Sequence, residues 1–237
     1  MKNNIFFDRQ RFERVTNFCR KYKLTPQFSK LRVSQELKDG QGNYRFYLDD
    51  KKMNLAEGDV ALNRNDLFIP FGIGVFLALG KKGKEGRAVL QTYPMRENHS
   101  VPYFKNAIDA EAIYNGKITI QMDSTMASES FPMEVFRKVT KIDGQNTTQQ
   151  VPLFDMNEAL VPLAPEYYFQ GTVDTEITLS FDGNGVNFDL KASPDGTAAP
   201  TDVPTDERSS RIVVLMLGVL VKNAAAHAAD INNVLNA

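Results

Sequence analysis

The sequence predicts an all-β protein, a jelly-roll sandwich carrying one amphipathic helix at its N-terminal end, and three observations lead there. From Leu31 onward apolar residues alternate with polar ones; the alternating runs are punctuated by turn-forming clusters such as GKKGKEG, KIDGQN and DGNG; and a 3.6-residue period is confined to DRQRFERVTNFCRKYK at 8–23. Alternation places every second side chain on one face of a strand, whereas spacings of three and four draw a stripe along a helix.

The helix comes first. Phe12, Val15, Cys19 and Tyr22 form its stripe, with Arg9, Arg11, Arg14, Arg20 and Lys21 left on the flanks. Asp8 suits an N-cap, Lys21 and Lys23 suit the negative end of the helix dipole, and Pro26 forbids continuation, so the helix is expected over 9–23. LRVSQEL (31–37) and NYRFYLD (43–49) follow as strands separated by KDGQG, a glycine-rich connection of hairpin type. DVAL (59–62), LFIPFGIGVFLAL (67–79), RAVLQTY (87–93), GKITIQMD (116–123) and MEVFRKV (133–139) read as further strands, as do EITLSFD (176–182), VNFDLK (186–191) and RIVVLMLGVLV (211–221). The 67–79 run has 13 residues where a membrane-spanning helix needs about 20, and Pro70, Gly72 and Gly74 oppose a helix. It reads as a buried strand or a bent pair, and like 211–221 it is long enough for two. PLFDMNEALVPLAPEYYF (152–169) is proline-bearing and expected to dock in extended form on neighbours, ASPDGTAAPTDVPTDERSS (192–210) is an exposed acidic loop, and the alanine-rich tail is weakly helical.

Two internal echoes bear on domain organisation. FGIGVFL (71–77) resembles LMLGVLV (215–221), and NGKITIQMD (115–123) resembles EITLSFD (176–182). Either buried strands look alike by chance, or the sandwich is duplicated. Duplication gives a leader helix and linker at 1–27, a first jelly roll at 28–108 and a second, with the C-terminal tail, at 109–237.

Composition narrows the function. With 42% hydrophobic and 24% charged residues among 237, the chain is an ordinary folding sequence. Its single cysteine, Cys19, excludes an intrachain disulfide and multi-cysteine zinc patterns, and fits a reducing compartment or indifference to redox. The first residues hold no apolar run of export-signal length. His99 and His227 stand far apart in polar or alanine-rich surroundings and are expected at the surface; no HExxH, GxSxG, GxxxxGK[ST] or GxGxxG occurs. Asp123, Glu129 and Glu134 are carboxylates without an evident partner, and DGQGN and DGNGV lack the later ligands of a calcium loop. No catalytic residue, cofactor or metal site is therefore expected. Tryptophan is absent, but Tyr44, Tyr47, Tyr167 and Tyr168 leave glycan binding open.

Charge placement is the strongest signal. Residues 1–38 hold ten Lys/Arg and three Asp/Glu, a local charge of +7, so with −1 for the whole chain the remainder carries −8. A helix with an apolar stripe and basic flanks lies on an anionic membrane, contacts nucleic-acid phosphates, or packs on its own body with its charges in water.

Basic amphipathic leader, many short strands, Pro-rich loops and the near-terminal RIVVLMLGVLV together resemble the double jelly-roll major capsid proteins of tailless icosahedral phages with an internal membrane. That resemblance implies a virion structural protein without enzymatic activity, made in the host cytoplasm. It assembles as homotrimeric capsomers that meet neighbouring capsomers and other virion proteins, and its leader faces the internal membrane or the genome. Arg9, Arg11, Arg14, Arg20, Lys21 and Lys23 would then form the inward surface. The alternative from another class is a carbohydrate- or receptor-binding sandwich of a phage fibre or cell-surface adhesin.

Overall fold

The computed structural model describes residues 9–49, 54–92, 112–123, 129–137, 141–143, 151–153, 159–163, 168–181 and 208–235. Helix α1 (Arg9–Lys21) leads into β1 (Pro26–Glu36), β2 (Asn43–Tyr47) and the long β3 (Leu67–Lys81). Then come β4 (Val89–Gln91), β5 (Lys117–Met122), β6 (Glu129–Pro132), β7 (Lys141–Asp143), β8 (Val151–Leu153), β9 (Val161–Pro162) and β10 (Phe169–Gln170). β11 (Thr175–Ser180), β12 (Arg208–Val221) and α2 (Ala228–Leu235) complete the order.

Two antiparallel sheets form a sandwich-like body. In the first, the order is β1-β12-β3, and the far edge of β3 is lined in turn by β10, β9 and β4; in the second it is β2-β11-β5-β6. β7 and β8 make a separate ribbon. One set of pairings is nested, β1 with β12, β2 with β11, β3 with β9 and β10, β5 with β6; across it β12 also pairs with β3, β11 with β5, and β4 with β3. The outermost pair thus joins opposite ends of the chain, Pro26 facing Val221 and Glu36 facing Arg211.

Facing residues of the two sheets make the main core, including Phe46, Ile118, Ile177 and Leu179 from the second sheet and Ile73, Val75 and Val214 from the first. β11 alternates strictly between buried and half-buried positions, the signature of a sheet with one wet face. The first sheet is different, because its outer face is covered as well. Leu67, Ile69, Phe71, Val219 and Val221 lie beneath the helices, and Phe76, Ala78, Val213 and Leu215 pack with Ala159 and Leu160. Burial on both faces explains why these strands read as unbroken apolar runs. Each run is one strand rather than two. Their pairing shifts between Leu217 and Gly218, where β3 carries Phe71 as an extra residue. A side chain at Gly218 would stand 2.2 Å from the Ile69 carbonyl oxygen, so only glycine fits the bulge.

Several expectations change here. The boundary at 108/109 runs through both sheets, since β1, β2 and β3 each pair with strands from beyond it. The internal echoes are sheet neighbours: β3 and β12 lie side by side, as do β5 and β11, and like surroundings select like residues. MEVFRKV is not a strand at its start; Met133–Phe136 is a 3₁₀ turn that buries Met133 and Phe136, three apart, and leaves Val135 37% exposed. The strand lies just before it, in β6. In 152–169, Ala159, Leu160, Leu163 and Phe169 are buried in the chain's own body and are not available as docking surface. α1 ends at Lys21, two residues before its expected end. Of the exposed loop expected over 192–210, Arg208–Ser210 belong instead to β12, with Ser209 and Ser210 buried; 192–207 and VNFDLK lie outside the described residues, and KDGQG joins strands of different sheets and not a hairpin pair.

Candidate functional site

The basic leader is the place to build from. Val15, Phe18 and Cys19 are at most 1% exposed, packed with the outer face of β3 and β12 and with Ala224, Ala228 and Ile231. The stripe predicted from spacing is real, but its partner is the protein's own sheet together with α2. Of the three uses open to such a helix, packing on the body with charges turned outward is the one this geometry realises for the apolar face. Arg20, Lys21 and Lys23 remain exposed and Arg14 is half-buried. Arg9 and Arg11 stand in the first turn of α1, and their side chains lie outside the described part of the structure.

How α1 ends determines where Lys23 points its charge. Lys23 N–H donates to the Arg20 carbonyl at 3.3 Å and Leu24 N–H to the Cys19 carbonyl at 2.8 Å, the pair of bonds of a Schellman stop. Lys23 takes the left-handed residue of that motif, φ +55°, where glycine is favoured and a side chain costs about 1 kcal/mol. The chain then enters β1, whose first residue Pro26 faces Val221, so the turn after α1 lies beside the turn after β12. There Lys222 is exposed and Asn223 is again left-handed, φ +56°. Lys23, Leu24, Thr25, Gln27, Lys222 and Asn223 line a cleft of about 330 Å³ between the two turns. Lys222 was missed by sequence reading. Its sequence distance from the leader hides it, and only the register of β1 on β12 brings it in.

Aromatic contacts lock the two helices. Tyr22 stacks on His227 with ring centroids 4.1 Å apart, its hydroxyl donates to the Asp230 carboxylate, and the Lys21 ammonium sits 4.9 Å over its ring. A hydrogen bond with Tyr22, helped by the Asp230 carboxylate, holds the Lys21 ammonium pKa above its ordinary value. His227, expected at the surface, is thus half-buried in a structural stack, while His99 lies outside the described residues. Cys19 packs rather than reacts: burial pushes its thiol up to about 11.

A second charged cluster, at the edge of the first sheet, is closed on itself. Arg32, 4% exposed, lies 3.3 Å from the Asp59 carboxylate and donates to the Glu57 and Glu85 carbonyls at 3.3 and 3.2 Å. Asp59 also accepts from the Ser34 N–H and hydroxyl and from the Ala56 N–H, and Arg211 donates to the Ser34 hydroxyl at 2.9 Å. Burial lowers the Arg32 pKa, Asp59 opposing the shift and Arg211 adding to it. The network ties the loop around Asp59 to β1, and Val60 exchanges both backbone bonds with Arg32, which covers that part of the edge.

Other candidates are scattered. Tyr44 is 1% exposed and receives the Lys38 N–H, so it offers no sugar-stacking face; Tyr47 and Tyr168 are half-buried, and Tyr167 lies outside the described residues. Asp123 is exposed just past β5 and Glu134 within the 3₁₀ turn, and the Glu129 side chain lies outside the described part. Among the described residues no group of three His, Cys, Asp or Glu is placed to hold a metal, and no helix is long and apolar enough to cross a membrane. Comparison of the chain with protein-family models, curated proteins and solved structures finds no match in any of the three.

Proposed function

We propose that the chain is a virion structural subunit: a single jelly roll that self-associates, through trimeric capsomers and contacts with other virion proteins, into an icosahedral shell whose basic surface meets the internal membrane or genome. The nested pairing of the strands carries this reading. A jelly roll is a long antiparallel ribbon folded over so that its strands alternate between two sheets, which makes the first strand neighbour the last, the second the last but one, and so inward. Here β1·β12, β2·β11, β3·β9/β10 and β5·β6 supply those four pairs in that order. One roll suffices to account for them, which favours it over the duplicated arrangement.

Charge placement supports the same reading. Exposed Arg20, Lys21, Lys23 and Lys222 gather around one pair of turns, on a chain whose remaining sequence is acidic. In a shell of like-oriented copies that surface repeats, and contacts too weak singly hold through multivalency. Exposed Phe28 (61%), Leu55 (40%) and Val60 (39%) are apolar groups for lateral contact. The glycan-binding alternative loses ground with the burial of Tyr44.

Light scattering and negative-stain imaging of the purified full chain, over a range of concentration and salt, test the proposal. Trimers or closed particles are the expected result; a strict monomer at high concentration overturns it.

A further inference from the structure

We infer that the cleft between the turn after α1 and the turn after β12 is a phosphate-binding site for single-stranded nucleic acid, with Lys23 and Lys222 as its two cationic walls. The inference rests on the reading of the basic end as an inward surface, and it selects one of the two inner partners.

Four observations converge. The space is concave, about 330 Å³, and apart from Leu24 its lining side chains are polar: Lys23, Thr25, Gln27, Lys222 and Asn223. Both ammonium groups belong to exposed residues, and Arg20 and Lys21 adjoin on α1. Two nearby carboxylates, Asp66 accepting the Asn223 N–H at 2.9 Å and Asp230 the Tyr22 hydroxyl, keep their negative charge, but Arg20, Lys21, Lys23 and Lys222 outnumber them. Finally, lysine occupies a left-handed helix stop where glycine would fold more easily, so the turn itself does not call for the charge placed there.

The same geometry argues against a bilayer. Membrane-surface helices hold on by burying an apolar face among lipid chains. That face of α1 is spent on the protein's own sheet, with Val15 fully buried and Phe18 and Cys19 1% exposed. Apart from exposed Phe28 and Glu13, what remains outward on α1 and around the cleft is cationic and hydrogen-bonding, which suits phosphodiesters, and a flexible single strand enters a concave site that a rigid duplex would bridge.

The test uses the full-length chain with a fluorescein-labelled oligothymidylate, read by anisotropy across a salt series, and in parallel phosphatidylserine–phosphatidylcholine vesicles read by flotation. Wild type is expected to bind the oligonucleotide with affinity falling steeply as salt rises. Lys23→Gly combined with Lys222→Gln should weaken binding about tenfold at low salt and flatten the log–log salt slope by about 1.4, two contacts at about 0.7 each. Thermal stability should be unchanged or higher, since glycine relieves the left-handed stop. Lys23→Arg with Lys222→Arg should restore binding. Flotation without oligonucleotide binding, or equal binding by the charge-removing variant, overturns the inference. Particles seen by negative stain in a preparation that binds no oligonucleotide would sink this inference and leave the shell reading standing; oligonucleotide binding by a strict monomer would do the reverse.

Discussion

Arg32 shows how much one side chain holds in place. Its guanidinium sits inside the protein because Asp59 and two backbone carbonyls receive it. Removing one partner leaves a buried charge uncompensated, so Asp59→Ala is expected to cost about 3–5 kcal/mol in urea unfolding. Replacing both, Arg32→Met with Asp59→Leu, should recover only part of that loss, because no unpaired charge is left but the Ser34 and Ala56 donors lose their acceptor. Cys19 offers a pH readout at the same scale. Folded, its thiol holds its proton up to about 11, whereas the unfolded thiol releases it at the ordinary 9.0. The unfolded state therefore binds fewer protons between these values, and stability is full below about 9 and falls as pH rises toward about 11. The fall should be shallower in Cys19→Ala, and native protein should resist thiol reagents below pH 9.0 until it unfolds.

At the scale of elements, α1 divides its two faces between stability and interaction. Phe18→Ala, deleting a ring that is 1% exposed beneath the helix, should destabilise by about 3–5 kcal/mol in chemical denaturation. Arg20→Glu, on the exposed side, should change stability by no more than about 0.5 kcal/mol. A comparable loss from both would mean the helix is not divided in this way. Its period and basic flanks were plain in the sequence because a stripe at spacings of three and four is a local property. Which surface would cover that stripe was not local: an anionic membrane and the protein's own sheet ask for the same apolar residues. The turn at Met133–Phe136 was illegible for a related reason, since Met133 and Val135 mimic strand alternation while the buried pair is Met133 and Phe136.

For the molecule as a whole, strands from both halves pair with one another, so the chain is expected to unfold as one cooperative unit. Fragments 28–108 and 109–237 are each expected to lack stable structure, because each takes away the partners of β1, β2 and β3; circular dichroism of the separate and mixed fragments checks this, and an independently folded half would revive two rolls. Closing β1 on β12 across almost the whole chain also demands long-range contacts, which slow folding. By itself the sequence determined the β class, the leading helix, the charge asymmetry and most strand positions, since periodicity, turn residues and formal charge act over a few neighbours. Tertiary structure alone decided the strand order, the burial of the helix stripe and the meeting of Lys23 with Lys222. Those depend on which distant segments hydrogen-bond, and residue spacing along a chain carries no information about that choice.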